Sequence, residues 1–147
     1  MTVSDLKRAR QALSTTDEPA IDAILLGSPH FSFDEFRHLA DLAKGREKHP
    51  DVEVIITCSR TMRDLVERTG HMNVIREFGA RITVDTCPLV TPMLPGRVKR
   101  IMTNSAKYAY YAPGLLGTSV RFGSLADCVA SARSGHYEES EGPWTTA

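Results

Sequence analysis

Small, polar or reactive residues follow each of five short apolar runs in this sequence of 147 residues. Hydroxyl and guanidinium groups bind carboxylates and phosphates, imidazole transfers protons, and a cysteine thiolate binds metal ions. Chemistry is therefore expected wherever the five runs end together in space. The five groups are Gly27-Ser28-Pro29-His30, Thr57-Cys58-Ser59-Arg60, Asp85-Thr86-Cys87, Thr103-Asn104-Ser105 and Gly123-Ser124.

Each polar candidate has a functional and a structural interpretation. His30 is a candidate general acid or base, but a histidine beside a proline turn also serves as a structural hydrogen-bonding residue. Arg60 is a candidate clamp for a carboxylate, and Lys107 a candidate cation, with an ordinary solvated helix surface as the alternative for both. The serines also stand where helix caps stand, namely Ser28, Ser59, Ser105 and Ser124.

The three cysteines, Cys58, Cys87 and Cys128, are an odd number without CxxC spacing. This pattern argues against a disulfide framework and against a self-contained zinc site. Cys87 follows a predicted strand and Cys128 stands in the first turns of a predicted helix, where a thiolate is stabilised and could bind iron. The alternative for both is a buried, inert cysteine.

Predicted strands and helices alternate along the chain. Because parallel neighbours require crossover connections, the alternation predicts an α/β fold with a mainly parallel sheet of about five strands and flanking helices. The carboxyl ends of such strands lie along one edge, where helix N-termini favour a carboxylate or phosphate ligand. Strands are predicted at residues 21–26, 52–57, 81–84, 98–102 and 118–122, and helices at 4–12, 33–44, 61–69 with 72–78 as one helix or two, from Asn104 or Ser105 to Tyr111, and from Ser124 to Gly135.

Length and composition predict a single domain over residues 1–147, with an N-terminal helix and linker in residues 1–20 and a tail in residues 136–147. Apolar residues make up 41% of the chain and charged residues 24%, which excludes disorder driven by charge. The 18 basic and 18 acidic residues balance, so neither nucleic acid nor a membrane surface is an expected partner. Without an apolar run of about 20 residues or a signal-peptide core, we expect a cytoplasmic protein.

The motifs at these strand ends, in combination and order, resemble the aconitase X family. The resemblance runs from about Leu6 to Trp144 and covers only the C-terminal third of the family's large subunit. Members of the family eliminate water from hydroxy acids, and they include dehydratases of cis-3-hydroxy-L-proline and of phosphomevalonate. The motifs are Gly27-Ser28-Pro29-His30-Phe31-Ser32, Asp85-Thr86-Cys87, Thr103-Asn104-Ser105-Ala106-Lys107-Tyr108-Ala109 and Asp127-Cys128-Val129.

The resemblance implies an aconitase-like domain with an iron or iron–sulfur cofactor, for which Cys87 and Cys128 match family cysteines and are the expected ligands. It also implies two sets of site residues around a small hydroxy-acid substrate. The expected catalytic residues are His30, Ser59 and Lys107, and the expected substrate-binding residues are Ser28, Arg60, Asn104 and Ser105. The chain departs from the family at Tyr110, where a histidine is expected.

The leading hypothesis is a component of an aconitase-X-type hydro-lyase acting on a small hydroxy acid such as cis-3-hydroxy-L-proline. Its expected partners are the remaining part of the large subunit and the small swivelling subunit, and the isolated chain is expected to be inactive. The alternative is a non-catalytic, truncated paralogue that acts as a small-anion binding or regulatory module. A free-standing metal or redox protein is a third hypothesis, which the absence of CxxC disfavours.

Overall fold

Short apolar segments, buried on both faces, form the parallel sheet at the centre of the fold. The computed structural model describes residues 2–28 and 30–140 of the chain. All four side chains of the first strand are buried, as expected of a parallel strand covered on both sides. The strands are β1 (Ala23–Leu26), β2 (Glu53–Cys58), β3 (Arg81–Val84), β4 (Arg100–Thr103) and β5 (Ser119–Phe122).

The strand order is β3-β2-β1-β4-β5, and every pairing is parallel. The chain moves outward from β1 through β2 to β3, and then returns to the other side of β1 for β4 and β5. All five strands therefore end at one edge, and the direction of winding reverses between β1 and β4. This confirms the predicted α/β fold and places the topological switch point, where open α/β sheets bind ligands, beside β1.

Hydroxyl side chains begin most of the helices. Ser32 and Glu35 form a capping box, and Ser105 and Ser124 also accept hydrogen bonds from backbone amides of the first turn. Gly70, with a φ of 79°, separates the predicted 61–78 segment into two helices. The described residues contain α1 (Val3–Ala12), α2 (Phe33–Ala43), α3 (Arg60–Arg68), α4 (His71–Phe78), α5 (Ala106–Leu116) and α6 (Leu125–Ser134).

Helix α5 continues to Leu116 instead of ending near Tyr111, and it includes Pro113. The apolar residues around this proline explain the difference. Ala109 and Ala112 are buried against the sheet, and Leu116 packs against the same cluster. Tertiary packing therefore stabilises a final turn that the proline would disfavour in an isolated helix.

The two faces of the sheet are covered very differently. On one face, α2, α3, α4 and α6 pack into an apolar cluster that includes Leu39, Phe78 and Cys128. On the other face, the described cover consists of α5, the proline-containing segment 87–98 and Leu13. We call these the four-helix face and the α5 face. Cys128 belongs to the four-helix face and Cys87 to the α5 face, which has the thinner cover.

Both terminal segments contact the domain. Thr15 donates its backbone N–H to the carbonyl of Val120 at 2.9 Å, so the predicted linker follows the outer edge of β5. Residues 136–140 of the predicted tail also pack on the fold, where Ser140 donates two hydrogen bonds to Asp127. Residues 141–147 lie outside the described residues. Within the described ranges, every helix is too short or too polar to span a membrane.

Candidate functional site

A cleft of about 400 Å³ lies at the switch point between the carboxyl ends of β1 and β4. It brings together five of the residues that the sequence singled out. These are Ser28, His30, Asn104, Ser105 and Lys107, and the cleft is completed by Gly27, Glu35 and Ala106. Two loops far apart in sequence therefore form one site, because β4 pairs with β1 in the sheet.

Gly27 allows the first of these loops to turn sharply over β2. Its φ is 87°, and a Cβ at this position would lie 2.3 Å from the carbonyl oxygen of Thr57. That same carbonyl accepts a hydrogen bond of 3.0 Å from the backbone N–H of Phe31, whose buried ring packs edge-on against Phe36. The loop that carries Ser28 and His30 is thus held by backbone geometry and by an aromatic anchor.

Ser105 joins the two loops. Its hydroxyl donates to the carbonyl of Ser28 at 2.9 Å and accepts from the backbone N–H of Tyr108 at 3.3 Å. The single hydroxyl proton is therefore already used, and a substrate could only donate to Ser105. Ser105 was predicted to bind substrate; in the structure it lines the cleft, caps α5 and links the two loops.

The remaining side chains in the cleft are available for a ligand. The side chains of His30, Asn104 and Lys107 make no hydrogen bond or ion pair to any other residue that the structure describes. Glu35, the acidic residue of the cleft, is held by the backbone N–H and the hydroxyl of Ser32 at 2.8 and 2.7 Å. Lys107 also lies in the first turn of α5, where free N–H groups and the helix dipole favour an anion.

Ser59 and Arg60 lie beyond β2, and neither lines the cleft. The hydroxyl of Ser59 accepts from the backbone N–H of Met62 at 3.1 Å, so Ser59 begins α3. Arg60 donates from Nε to Asp85 Oδ2 at 3.2 Å, and its backbone N–H donates to Asp85 Oδ1 at 3.2 Å. The structure thus gives both residues structural partners and does not bring them to His30 and Lys107.

Asp85 is a residue that our choice of site residues missed, although it belongs to a strand-end motif. It caps α3 from the end of β3 and has a left-handed backbone φ of 55°. Such a conformation is uncommon for residues other than glycine, although aspartate tolerates it better than most. The sequence signal for Asp85 was its position, because it is an acidic residue that directly follows an apolar strand and precedes a cysteine.

Cys87 lies in the loop after β3 and is half-buried. Its thiol donates to the hydroxyl of Tyr108 at 3.5 Å, and that hydroxyl lies 3.3 Å from the hydroxyl of Thr57. Tyr108 is completely buried, and burial together with the hydrogen bond to Cys87 raises the pKa of its hydroxyl well above the ordinary value. Tyr108 therefore packs in the core and also holds Cys87 at the edge of the sheet.

Cys128 lies on the opposite side of the sheet from Cys87. It is completely buried on the four-helix face among Ile24, Leu39 and Phe78, whereas Cys87 packs against the cluster of the α5 face. Burial, and secondarily Asp127, raise the pKa of the Cys128 thiol far above its ordinary value. The expectation that Cys87 and Cys128 share one metal is therefore corrected, because the sheet separates them.

The described residues do not by themselves form a metal centre. No group of three or more His, Cys, Asp and Glu side chains is placed to hold a metal ion in residues 2–28 and 30–140. Cys87 fits the chemistry of an iron ligand, since its sulfur is half-buried at the edge where the strands end. Cys128 does not fit, because its thiol is enclosed by apolar side chains.

A larger cavity, of about 670 Å³, lies at the outer edge of the sheet between α1, β5 and Tyr137. Its basic residues have structural partners. Arg10 forms an ion pair of 2.6 Å with Glu139, and the guanidinium of Arg121 stacks 4.2 Å from the centre of the Tyr137 ring. The described lining contains none of the predicted site residues, so the cleft at the switch point is the candidate functional site.

Comparisons with known proteins identify the family that this domain matches. Residues 21–134 match the family model of the aconitase X third domain. The chain is similar to cis-3-hydroxy-L-proline dehydratase of Pseudomonas aeruginosa, with 47% identity over 132 residues that cover 88% of this chain and 23% of that protein. It is also similar to the phosphomevalonate dehydratase large subunit of Methanocaldococcus jannaschii, with 34% identity over 127 residues, 86% of this chain and 31% of that protein.

The fold is similar to that in the crystal structure of Thermococcus kodakaraensis aconitase X in its holo-form. The TM-score is 0.74 and the sequence identity 32%, over 88% of this chain and 33% of that chain. Across these three proteins, the chain spans between 23% and 33% of the length of the protein it matches.

Proposed function

The chain belongs to the aconitase X family, and we propose that it forms one wall of a hydro-lyase active site that removes water from a small hydroxy acid. The observation that carries this proposal is the cleft between β1 and β4, where Lys107, Asn104 and His30 converge at the N-terminus of α5. A cation and a helix N-terminus suit the carboxylate of such a substrate.

Each cleft residue has a role that follows from its chemistry. Lys107 and the free N–H groups of α5 bind the carboxylate, and the amide of Asn104 orients it by donating a hydrogen bond. Eliminating water requires one proton to leave a carbon atom and one hydroxyl group to leave its neighbour. An imidazole can accept or donate such a proton near neutral pH, which makes His30 the acid–base candidate.

An iron or iron–sulfur cofactor would supply a Lewis acid for the departing hydroxyl group. Cys87 is the described residue that fits as its ligand, with its sulfur in contact with the hydroxyl of Tyr108, which in turn contacts Thr57. Further ligands would come from other parts of the enzyme, because Cys128 is enclosed on the four-helix face. The remainder of the large subunit and the small swivelling subunit are therefore part of the proposal.

The substrate that we favour is cis-3-hydroxy-L-proline. The chain is 47% identical to a dehydratase named for that compound and 34% identical to one named for phosphomevalonate. The balance of 18 basic and 18 acidic residues supports a small-molecule substrate over nucleic acid or a membrane surface as the partner. A cytoplasmic location remains a prediction.

A chimera tests the proposed function. Residues 21–134 of this chain would replace the matching segment of the Pseudomonas aeruginosa dehydratase, and consumption of cis-3-hydroxy-L-proline would be measured. We expect an active chimera that loses most of its activity on Lys107→Gln and His30→Gln substitution. Lys44→Gln, at the exposed far end of α2, is the matched control and keeps activity.

Two results would contradict the proposal. A folded, iron-containing chimera without dehydratase activity would show that these residues do not support the reaction. Equal activity of the Lys107→Gln and Lys44→Gln chimeras would show that the cleft is not the site. The isolated chain itself is expected to show no activity.

The second candidate function is a module that binds small anions without catalysis. It is favoured by one observation, that Cys87 alone of the two expected ligands fits a metal. Such a module would bind hydroxy acids as an isolated chain, with an affinity that calorimetry can measure in the absence of iron.

A further inference from the structure

Helix α5 has an outer surface unlike those of α2 and α3 on the opposite face of the sheet. Lys107 is the single charged residue among the 11 residues of α5. By contrast, α3 has five charged residues in a helix of 9 residues, and α2 has four in 11. A helix that is apolar on all sides is typical of one that is buried on all sides.

The exposed side of α5 is a stripe of large apolar residues. Tyr110 is 70% exposed, Tyr111 47% and Leu115 58%, and the two tyrosine rings contact each other edge-on at 5.0 Å. These three residues lie three, four and eight positions after Lys107, which is the spacing of residues on one side of a helix. Gly114 lies in the same stripe, and the space around its Cα is open.

The stripe continues into the proline-containing loop of the same face. Pro92, Met93 and Leu94 line a groove of about 220 Å³ together with Leu115 and Leu116. Val90, in the same loop, is 78% exposed. We call Tyr110, Tyr111, Leu115 and this groove the α5 surface. Exposed apolar areas of this kind mark interaction sites rather than ordinary solvent-facing surface.

The position of the α5 surface and the length of the relatives indicate what covers it. The chain spans 23% of one related dehydratase and 33% of the aconitase X crystal structure, so most of a family large subunit lies outside the matched region. The stripe begins at Lys107, which also lines the candidate cleft. A neighbour on this surface would therefore border the open side of the cleft.

We propose that the α5 surface is the docking site for the remainder of an aconitase X large subunit, through an apolar face of that partner. This inference rests on the proposed function, since it assumes that the family's larger assembly forms. The four-helix face, with its charged outer surfaces on α2 and α3, is by contrast the side that faces solvent.

Hydroxyl-radical footprinting tests the docking surface without depending on activity. The isolated chain and the chimera with the Pseudomonas aeruginosa dehydratase would be oxidised side by side, and each residue would be quantified by mass spectrometry. We expect Tyr110, Tyr111 and Leu115 to be oxidised in the isolated chain and largely protected in the chimera. Leu65 on α3, which is 45% exposed, is the control and is oxidised equally in both.

A variant pair provides a second measurement. In the chimera, Leu115→Lys is expected to lower the melting temperature or to split the melting transition in two, whereas Leu65→Lys leaves one transition. In the isolated chain, neither variant should change the fold, because both side chains are exposed.

Two outcomes would overturn the inference. Equal oxidation of Leu115 in the isolated chain and the chimera would show that the α5 surface faces solvent in the assembly. An isolated chain that is a dimer by light scattering, and a monomer after Leu115→Lys, would assign the surface to a second copy. An inactive chimera with a protected Leu115 would contradict the proposed function while leaving the docking site intact.

Discussion

The hydroxyl of Tyr108 accepts a hydrogen bond from the thiol of Cys87 across 3.5 Å. Tyr108 is in the first turn of α5 and Cys87 in the loop after β3, so this contact spans the central strands of the sheet. Thr57 continues the chain of hydroxyls by donating to the carbonyl of Gly27. These hydrogen bonds connect the thiol of Cys87, through the buried Tyr108, to the turn at Gly27 in the cleft.

The three thiols should differ sharply in reactivity. Cys58 and Cys128 are completely buried, and burial raises the pKa of both thiols, whereas Cys87 is half-buried at the sheet edge. Brief alkylation of the native chain should therefore label Cys87 alone, and alkylation in denaturant should label all three. Peptide mass spectrometry reads this directly, and rapid native labelling of Cys128 would contradict the placement of α6.

Iron binding should depend on one of the two expected ligands. In the chimera, Cys87→Ala should remove most of the bound iron, since its thiolate is the described residue that fits a metal. Cys128→Ala should keep the iron and reduce the free energy of unfolding by about 1 kcal/mol through lost packing. Iron per chain after anaerobic purification is the measurement. Loss of iron in the Cys128 variant alone would reverse the assignment.

Gly27→Ala should disrupt the fold far more than a similar change elsewhere. Its Cβ would lie 2.3 Å from the Thr57 carbonyl, in addition to the strain of a φ of 87°. At Gly117, φ is 64° but no atom would approach the new Cβ within 4 Å. We expect Gly117→Ala to cost about 1 to 2 kcal/mol, which is the strain alone. Urea unfolding should show that Gly27→Ala lowers the free energy of unfolding several-fold more than Gly117→Ala does. Equal decreases in the two variants would contradict the close approach of a Cβ at residue 27 to the Thr57 carbonyl.

Asp127 should make stability depend on pH. Its buried carboxylate accepts from Ser140 N and Oγ at 2.8 and 2.6 Å and from Ser124 N at 2.9 Å. Burial acts to raise the pKa of Asp127, but the hydrogen bonds outweigh it and the net pKa is lowered. The stabilisation is therefore complete above the unfolded pKa of about 4 and is lost as the pH falls through the folded value.

The variant that tests this pH dependence is Asp127→Asn, which should reduce the free energy of unfolding by about 2 to 4 kcal/mol at pH 7. It should also flatten the fall in stability below pH 4. Asp41→Asn, on the exposed side of α2, is the control and should change stability by about 0.5 kcal/mol or less. If the free energy of unfolding fell equally with pH in both variants, this role of Asp127 would be contradicted.

The Arg60–Asp85 pair should contribute mainly through the cap of α3. The ion pair is exposed, so Arg60→Ala should cost less than about 1 kcal/mol. Asp85→Ala should cost about 1 to 2 kcal/mol, because it removes the cap and leaves a left-handed φ of 55°. Asp85→Gly removes the same side chain without that strain and should be the milder change by about 1 kcal/mol. Equal costs for the two variants would show that the backbone strain is negligible.

Local patterns in the sequence predicted the elements of the fold. The apolar run at residues 21–26 predicted a strand, and Ser105 and Ser124 predicted the starts of two helices. The reason is that burial periodicity and capping involve residues a few positions apart. The same patterns predicted that five groups of polar residues would lie along one edge, since parallel strands all end on the same side.

Strand order and face were decided only by the tertiary structure. The hydrogen bond from Ser105 to Ser28 joins residues 77 positions apart, and it exists because β4 pairs with β1. That pairing collects His30 and Lys107 in one cleft and leaves Ser59 with α3. Cys128 shares a motif with Asp127, but the handedness of the crossovers places α6 across the sheet from Cys87. Local periodicity does not determine which strands pair with each other, because strand order depends on how all the helices pack together.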